Sequence, residues 1–223
     1  MFTLYHHWLV PACRKARIIL GEKKLDYNSE IMKPWDLNPD YLKINPSACL
    51  PALVENKNNY AICGTNNIGE YLEEAFPETP LMGKNLNDKT EVRRLVDWFD
   101  DKFNKEVSDK IIYEKVFKRY YGLGYADTKI IREGQNAIHE HLCYIEWLLE
   151  ERNWLAGDFF SLADVAAAAH LSAIDYLGDV PWDRYLEAKE WYMRVKCRPS
   201  FRSILNDAVP AITPPAHYQE FDF

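Results

Sequence analysis

Few residues in this 223-residue chain combine type and spacing in a way that would do chemistry. Cys13 follows Pro11 at the opening of a helical run, CRKARIILGEKK, with Arg14 beside it. A thiol there faces the unpaired N–H groups of a first helical turn and a neighbouring cation, and both favour the thiolate. The competing reading makes Cys13 a small hydrophobe turned toward a sheet. Tyr5, on the apolar segment just upstream, is either a hydroxyl reaching a cleft or a packed ring. The histidines supply no metal set. His139 and His141 stand two apart on a helix and face different sides, whereas helical ligand pairs need a spacing of three or four. His6 and His7 alternate across a strand. No glycine-rich phosphate loop occurs, and scattered Ser, His and Asp residues define no triad. We therefore expect neither a metal nor a cofactor.

Two further groups carry structure or recognition. Ser161-Leu-Ala-Asp164 has the spacing of a capping box, in which hydroxyl and carboxylate reciprocally satisfy the first backbone donors of a helix. Phe160 and Val165 flank it as a hydrophobic staple. Its role is structural. Trp35 lies in KPWDLNPDYL, between proline and aspartate. A loop tryptophan of this kind either plugs a core or serves as an aromatic anchor for a partner.

The elements that must position these residues come from a chain of ordinary globular composition, 48% hydrophobic and 27% charged. A net charge of −7, with Lys and Arg interleaved among acidic residues, argues against nucleic acid or an anionic membrane as the main partner. No run of about eighteen apolar residues is present to span a membrane. The opening MFTLYHHWLV has no charged-then-apolar secretory signal. Five widely spaced cysteines, odd in number and without a CxxC pair, read as reduced thiols of a cytoplasmic protein.

Residues 1–78 alternate strand and helix. Phe2 to Tyr5 and Tyr27 to Met32 are strands on either side of the Pro11 helix, a parallel pair with a right-handed crossover. Ala52 to Glu55 and Tyr60 to Cys63 flank the polar turn NKNN and form a hairpin. Thr65 then caps a helix carrying Ile68, Tyr71 and Leu72, which stops at Pro77. This order predicts an α/β thioredoxin-like domain. Residues 79–87 form a linker, and 88–205 an all-helical domain. Its first stripe runs from Val92 to Val116 and is broken by Gly122 and Gly124; the segment after Ser161 is apolar all round and belongs in a core. Residues 206–223, with Pro210, Pro214 and Pro215, are an extended tail.

On three motifs the chain resembles the glutathione S-transferase superfamily. LYHHWLVPACRKARIIL resembles its first strand, site loop and first helix, NPSACLPALV its loop ending in a cis-proline, and SLAD its buried folding element. The resemblance implies a two-domain fold and a cleft formed by Val10, Leu50, Pro51, Gly64 and Thr65. A cis Leu50–Pro51 bond would turn the preceding backbone groups toward an extended peptide such as glutathione. Members of the family stabilise the glutathione thiolate with a hydroxyl or cysteine at the start of the first helix. Here Val10 holds that position and donates nothing, and Ala12 is equally inert. Cys13 and Tyr5 are the remaining catalytic candidates. The family commonly places an acidic or amide residue before Ser or Thr at the second helix. Thr65 keeps the hydroxyl, whereas Gly64 removes the group that recognises the γ-glutamyl end. Losing one charge-assisted contact costs about 1.5–3 kcal/mol, more than tenfold in affinity. Transferase chemistry is therefore disfavoured, and an active transferase conjugating glutathione to electrophiles is the alternative.

KPWD, WFDDKFNKEV, LSAIDYLGDVPWDRY, AKEWYMRVKCRPSFR and the terminal AHYQEFDF are similar to one branch of that superfamily: alphaproteobacterial cell-division proteins that bind filaments of FtsZ. That likeness implies a homodimer without glutathione chemistry, with Trp35, Glu220 and Asp222 as partner-binding residues.

Overall fold

The computed structural model describes residues 1–36 and 38–221. Its N-terminal half is a four-stranded sheet of order β2-β1-β3-β4, with β1 Phe2–His6, β2 Tyr27–Ile31, β3 Ala52–Glu55 and β4 Tyr60–Cys63. β1 and β2 are parallel, with Phe2 opposite Tyr27, while β1–β3 and β3–β4 are antiparallel. Alternation buries Phe2, Leu4 and His6 on the face covered by helices.

Helix α1, Pro11–Glu22, begins where proline loses nothing, since its missing N–H would be unpaired anyway. The Val10 carbonyl accepts from the Cys13 and Arg14 amides at 2.9 and 3.1 Å. α1 is buried on several sides, packed on the sheet domain and on the helical domain together. At Gly21 a Cβ would lie 2.9 Å from the Ser200 backbone, so only glycine permits this approach. The charged start of α1 is also buried. Arg14, Lys15 and Arg17 are 0%, 1% and 6% exposed, so they are interior connectors rather than a surface cluster.

A short helix α2, Pro39–Ile44, precedes the loop to β3, and α3 spans Thr65–Ala75. Its N-cap is Gly64, at φ +87, and no side chain caps it. Thr65 is thus the first helical residue, which corrects the expectation that it is the cap. The positive φ accounts for glycine at this position: an L side chain there would strain the backbone.

The helical domain opens with α4, Leu86–Asp97, closed by an Asn85/Asp88 capping box. The rod continues through wide π-helical turns at Trp98–Ser108 and Tyr113–Phe117 and ends at Tyr120. Helix α5, Thr128–Leu149, returns along it. Helix α6, Leu162–Tyr176, is buried at every residue, as its uniform apolarity demands. Ser161 and Asp164 form the capping box at its start. Asp164 does more than cap. Its oxygens also accept from the Leu155 amide and the Trp191 indole, both at 2.9 Å. That joins the preceding loop and α7, Leu186–Lys196, to the head of α6. A short helix α8, Arg202–Leu205, leads into the tail. One hydrophobic core runs through both domains; a small second cluster gathers Met32, Tyr41 and Ala52.

The tail is irregular except for a 3-10 turn at Ala216–Gln219. Tyr218 is fully buried, and its hydroxyl accepts from Arg14 at 2.8 Å. Tyr176 donates to the Ile212 carbonyl and accepts from the Val209 amide. Among the described residues, no helix is long and apolar enough to cross a membrane.

Candidate functional site

A cavity of about 1170 Å³ opens between the two domains. The N-terminal domain contributes three backbone corners: the start of α1 at Val10 and Ala12, the loop at Cys49 and Leu50, and the start of α3 at Gly64 and Thr65. The facing wall is the second half of the α4 rod, including Asn104, Ile112, Tyr113 and Phe117.

Four of the five expected cleft residues line this cavity; Pro51 is buried just behind them. The Leu50–Pro51 bond is cis. The Pro51 carbonyl accepts from the Gly64 amide at 3.1 Å, fastening the loop to the start of α3. The Val10 side chain carries no polar group, and its carbonyl serves the first turn of α1. The Thr65 hydroxyl is buried and has no hydrogen-bond partner, so the first turn of α3 presents an unused polar group next to unpaired backbone donors. That geometry suits an anionic group.

Neither Cys13 nor Tyr5 is among the residues lining the cavity. Cys13 is 0% exposed, and burial pushes its thiol up to about 12 despite a hydrogen bond with the His7 backbone and the Arg17 charge. It is the packed hydrophobe. Tyr5 lies outside the cavity, half-buried with its ring 5.6 Å from that of Tyr41. The start of α1 therefore brings no acidic hydroxyl or thiol to the cleft.

A polar chain that the sequence did not reveal crosses the cleft floor. Lys15 donates to Asn66 at 2.7 Å and pairs with Asp100 at 2.6 Å. His170 Nε2 lies 3.5 Å from the other Asp100 oxygen, and His170 Nδ1 shares a 2.9 Å bond with Ser108. Burial raises the Asp100 carboxyl, but Lys15 and His170 outweigh it and hold the group below its usual range. Structure thus assembles Ser, His and Asp that sequence left scattered. The arrangement is nevertheless a latch between domains. Ser108 is 1% exposed, and Asp100 is held closer by Lys15 than by the histidine it would have to orient.

Trp35 sits at the rim, next to the cavity-lining Pro34. It is half-buried in an aromatic group drawn from both domains. Its indole stacks on Tyr120, with centroids 4.3 Å apart and planes 8° from parallel, while His7 and Phe117 meet it at 5.5 and 6.1 Å. Burial, and then the Arg14 charge, lower the His7 pKa to about 4, so at neutral pH its ring adds no charge. The indole is therefore braced on one face, neither a core plug nor a free side chain. Glu220 has an exposed side chain, and its backbone carbonyl accepts from Lys196. Asp222 lies outside the described residues. Tyr120 and Phe117 escaped the sequence reading; the only hint was an aromatic pair, Tyr120-Tyr121, just before Gly122. Among the described residues, no group of His, Cys, Asp or Glu is arranged to hold a metal.

Residues 11–75 match the family model for the glutathione S-transferase N-terminal domain, and residues 109–199 match that for the C-terminal domain. FtsZ-localized protein A of Caulobacter vibrioides is 48% identical over 223 residues, covering 99% of this chain and 98% of its own. The crystal structure of a glutathione S-transferase from Rhodospirillum rubrum F11 aligns with TM-score 0.97 at 49% identity, over the whole of both chains. The structure of FzlA from C. crescentus aligns with TM-score 0.96 at 47% identity, over 100% of this chain and 99% of that one.

Proposed function

The chain belongs to the glutathione S-transferase family, and we propose that it binds FtsZ filaments and regulates cell division without conjugating glutathione. The observation that carries this reading is the likeness to FtsZ-localized protein A along the whole chain. The cleft supports its second half. Val10 stands where a thiolate donor is needed, Cys13 is sealed in the interior, and Gly64 offers no side chain to a ligand. Trp35, held at the rim by Tyr120, is the aromatic anchor toward the filament, with the Glu220 and Asp222 end as the second contact. Rigid aromatic anchors carry a large share of interface energy.

The protein then works in the cytoplasm as a homodimer. Trp147, 59% exposed and stacked on Tyr144, is an exposed aromatic that a second copy would cover. A 26.2 kDa species in sedimentation equilibrium would overturn the dimer. Pelleting with GTP-polymerised FtsZ tests the main reading. Wild-type protein is expected in the pellet, and Trp35→Ala at least tenfold weaker, the loss typical of a central aromatic anchor. A Trp35→Ala protein that pellets like wild type would refute the anchor.

One observation favours a second reading, an active glutathione transferase: the Thr65 hydroxyl and the start of α3 are still available to a carboxylate. Calorimetric titration with glutathione separates the two. Tight binding together with turnover of an electrophilic aromatic substrate would replace the first reading.

A further inference from the structure

The Trp35 loop and the C-terminal tail come from opposite ends of the chain, and one side chain touches both. Tyr120 closes the α4 rod. Its ring lies flat on the Trp35 indole at 4.3 Å, and its hydroxyl donates to the Pro210 carbonyl in the tail at 3.3 Å. Next to it, the Tyr121 hydroxyl donates to the Pro34 carbonyl at 3.1 Å, holding the backbone just before Trp35. Both tyrosines are partly exposed, at 39% and 43%, so they belong to the surface and not to the core. Gly122, at φ +70, ends the rod immediately afterwards, which fixes the two rings at a helix terminus instead of in a loose loop.

The tail held by Tyr120 is itself anchored. Tyr176 bonds on both sides of Pro210, at Val209 and Ile212, and Tyr218 is buried further along. Pro210 is therefore a fixed point, and the Tyr120 ring is a brace between it and Trp35. Indoles and phenols present large contact area at low conformational-entropy cost when their rotamers are already held. Without the Tyr120 stack, Trp35 keeps only its ring contacts to His7 and Phe117 and gains freedom that each binding event must remove.

Resting on the filament-binding reading above, we propose that Tyr120 is a positioning residue. It fixes Trp35 against the tail at Pro210, so that the loop and this stretch of the tail are preorganised together. Tyr120 acts through Trp35 and need not touch the filament.

The test compares Trp35→Ala, Tyr120→Leu and Tyr120→Phe in full-length protein, with two readouts. Fluorine NMR of 5-fluorotryptophan-labelled protein reports the Trp35 ring, its resonance assigned by loss in Trp35→Phe. Co-sedimentation with GTP-polymerised FtsZ reports binding. Tyr120→Leu should shift and broaden the Trp35 resonance and weaken pelleting by roughly two- to tenfold, the range for loss of one aromatic pair. Tyr120→Phe keeps the stack but loses the hydroxyl bond to Pro210, so it should restore the resonance and bind with a strength between those of Tyr120→Leu and wild type. Leu and Phe variants that melt with wild type exclude a folding defect; if Tyr120→Leu does not fold, the Phe variant alone must still bind within threefold of wild type. Wild-type pelleting by Tyr120→Leu while Trp35→Ala is lost overturns this inference and leaves the filament reading intact. Wild-type pelleting by both overturns the Trp35 reading and this inference with it.

Discussion

At the scale of single residues, burial decides the chemistry more than identity does. Cys13 has the neighbours of an activated thiol, yet its thiol is pushed to about 12 because the interior penalises the thiolate. Iodoacetamide at pH 8 should therefore alkylate Cys49, Cys143 and Cys197, all exposed, and leave Cys13 intact in the native protein. Peptide mass spectrometry showing native Cys13 alkylated at their rate would refute its burial. His6 and His7 behave in the same way. Burial lowers them to about 3 and about 4, with Arg17 and Arg14 as the next causes. Their folded values lie below the ordinary 6.5, so the unfolded chain binds protons more readily. Their contribution is complete above about pH 6.5 and is lost as pH falls toward the folded values. Between pH 7 and 5 we expect a loss of about 2 kcal/mol for each histidine, read as a lower urea midpoint. A midpoint unchanged across that interval would contradict it.

At the scale of elements, local signals and long-range partners separate cleanly. The hairpin of β3 and β4 and the head of α6 were legible because a polar turn, alternation and cap spacing are local. The fate of Arg14, Lys15 and Arg17 was not. Lys15 meets Asp100, and Arg17 meets Asp207, at sequence separations of 85 and 190 residues. A charged stretch looks like surface until those carboxylates are placed. For the same reason the sequence named Val10, Gly64 and Thr65 but neither the latch through Ser108 and His170 nor the brace at Tyr120. The Thr65 cap was misread by one residue, since a positive φ at Gly64 leaves no sequence mark beyond the glycine itself. Asp164 offers a test at this scale. Ser161→Ala removes a cap and should cost about 1 kcal/mol. Asp164→Ala also strands the buried Leu155 amide and Trp191 indole, each worth about 1–3 kcal/mol when unpaired, and should cost at least about 3 kcal/mol by urea denaturation. Equal losses in the two variants would mean that Asp164 only caps.

At the scale of the whole molecule, the two domains enclose a transferase cleft and share one core, with α1 and α6 packed against each other between them. Arg14 ties α1 to Ser172 on α6 and to Tyr218 in the tail, while Arg17 reaches Asp207. The tail as far as Tyr218 is thus part of the same body. Clefts of this kind are apolar, concave surfaces on which ligands and partners dock, and the start of α1 lines this one with Val10, Pro11 and Ala12. The central claim joins partner binding to the absence of glutathione conjugation. High-speed sedimentation with GTP-polymerised FtsZ, with and without saturating glutathione and an electrophilic aromatic substrate, tests both halves in one tube. The account predicts protein in the pellet only when polymer is present, pelleting unchanged by glutathione, and no conjugate above the uncatalysed rate. Protein left in the supernatant with intact polymer, or conjugate formed at enzymatic rates, would contradict it.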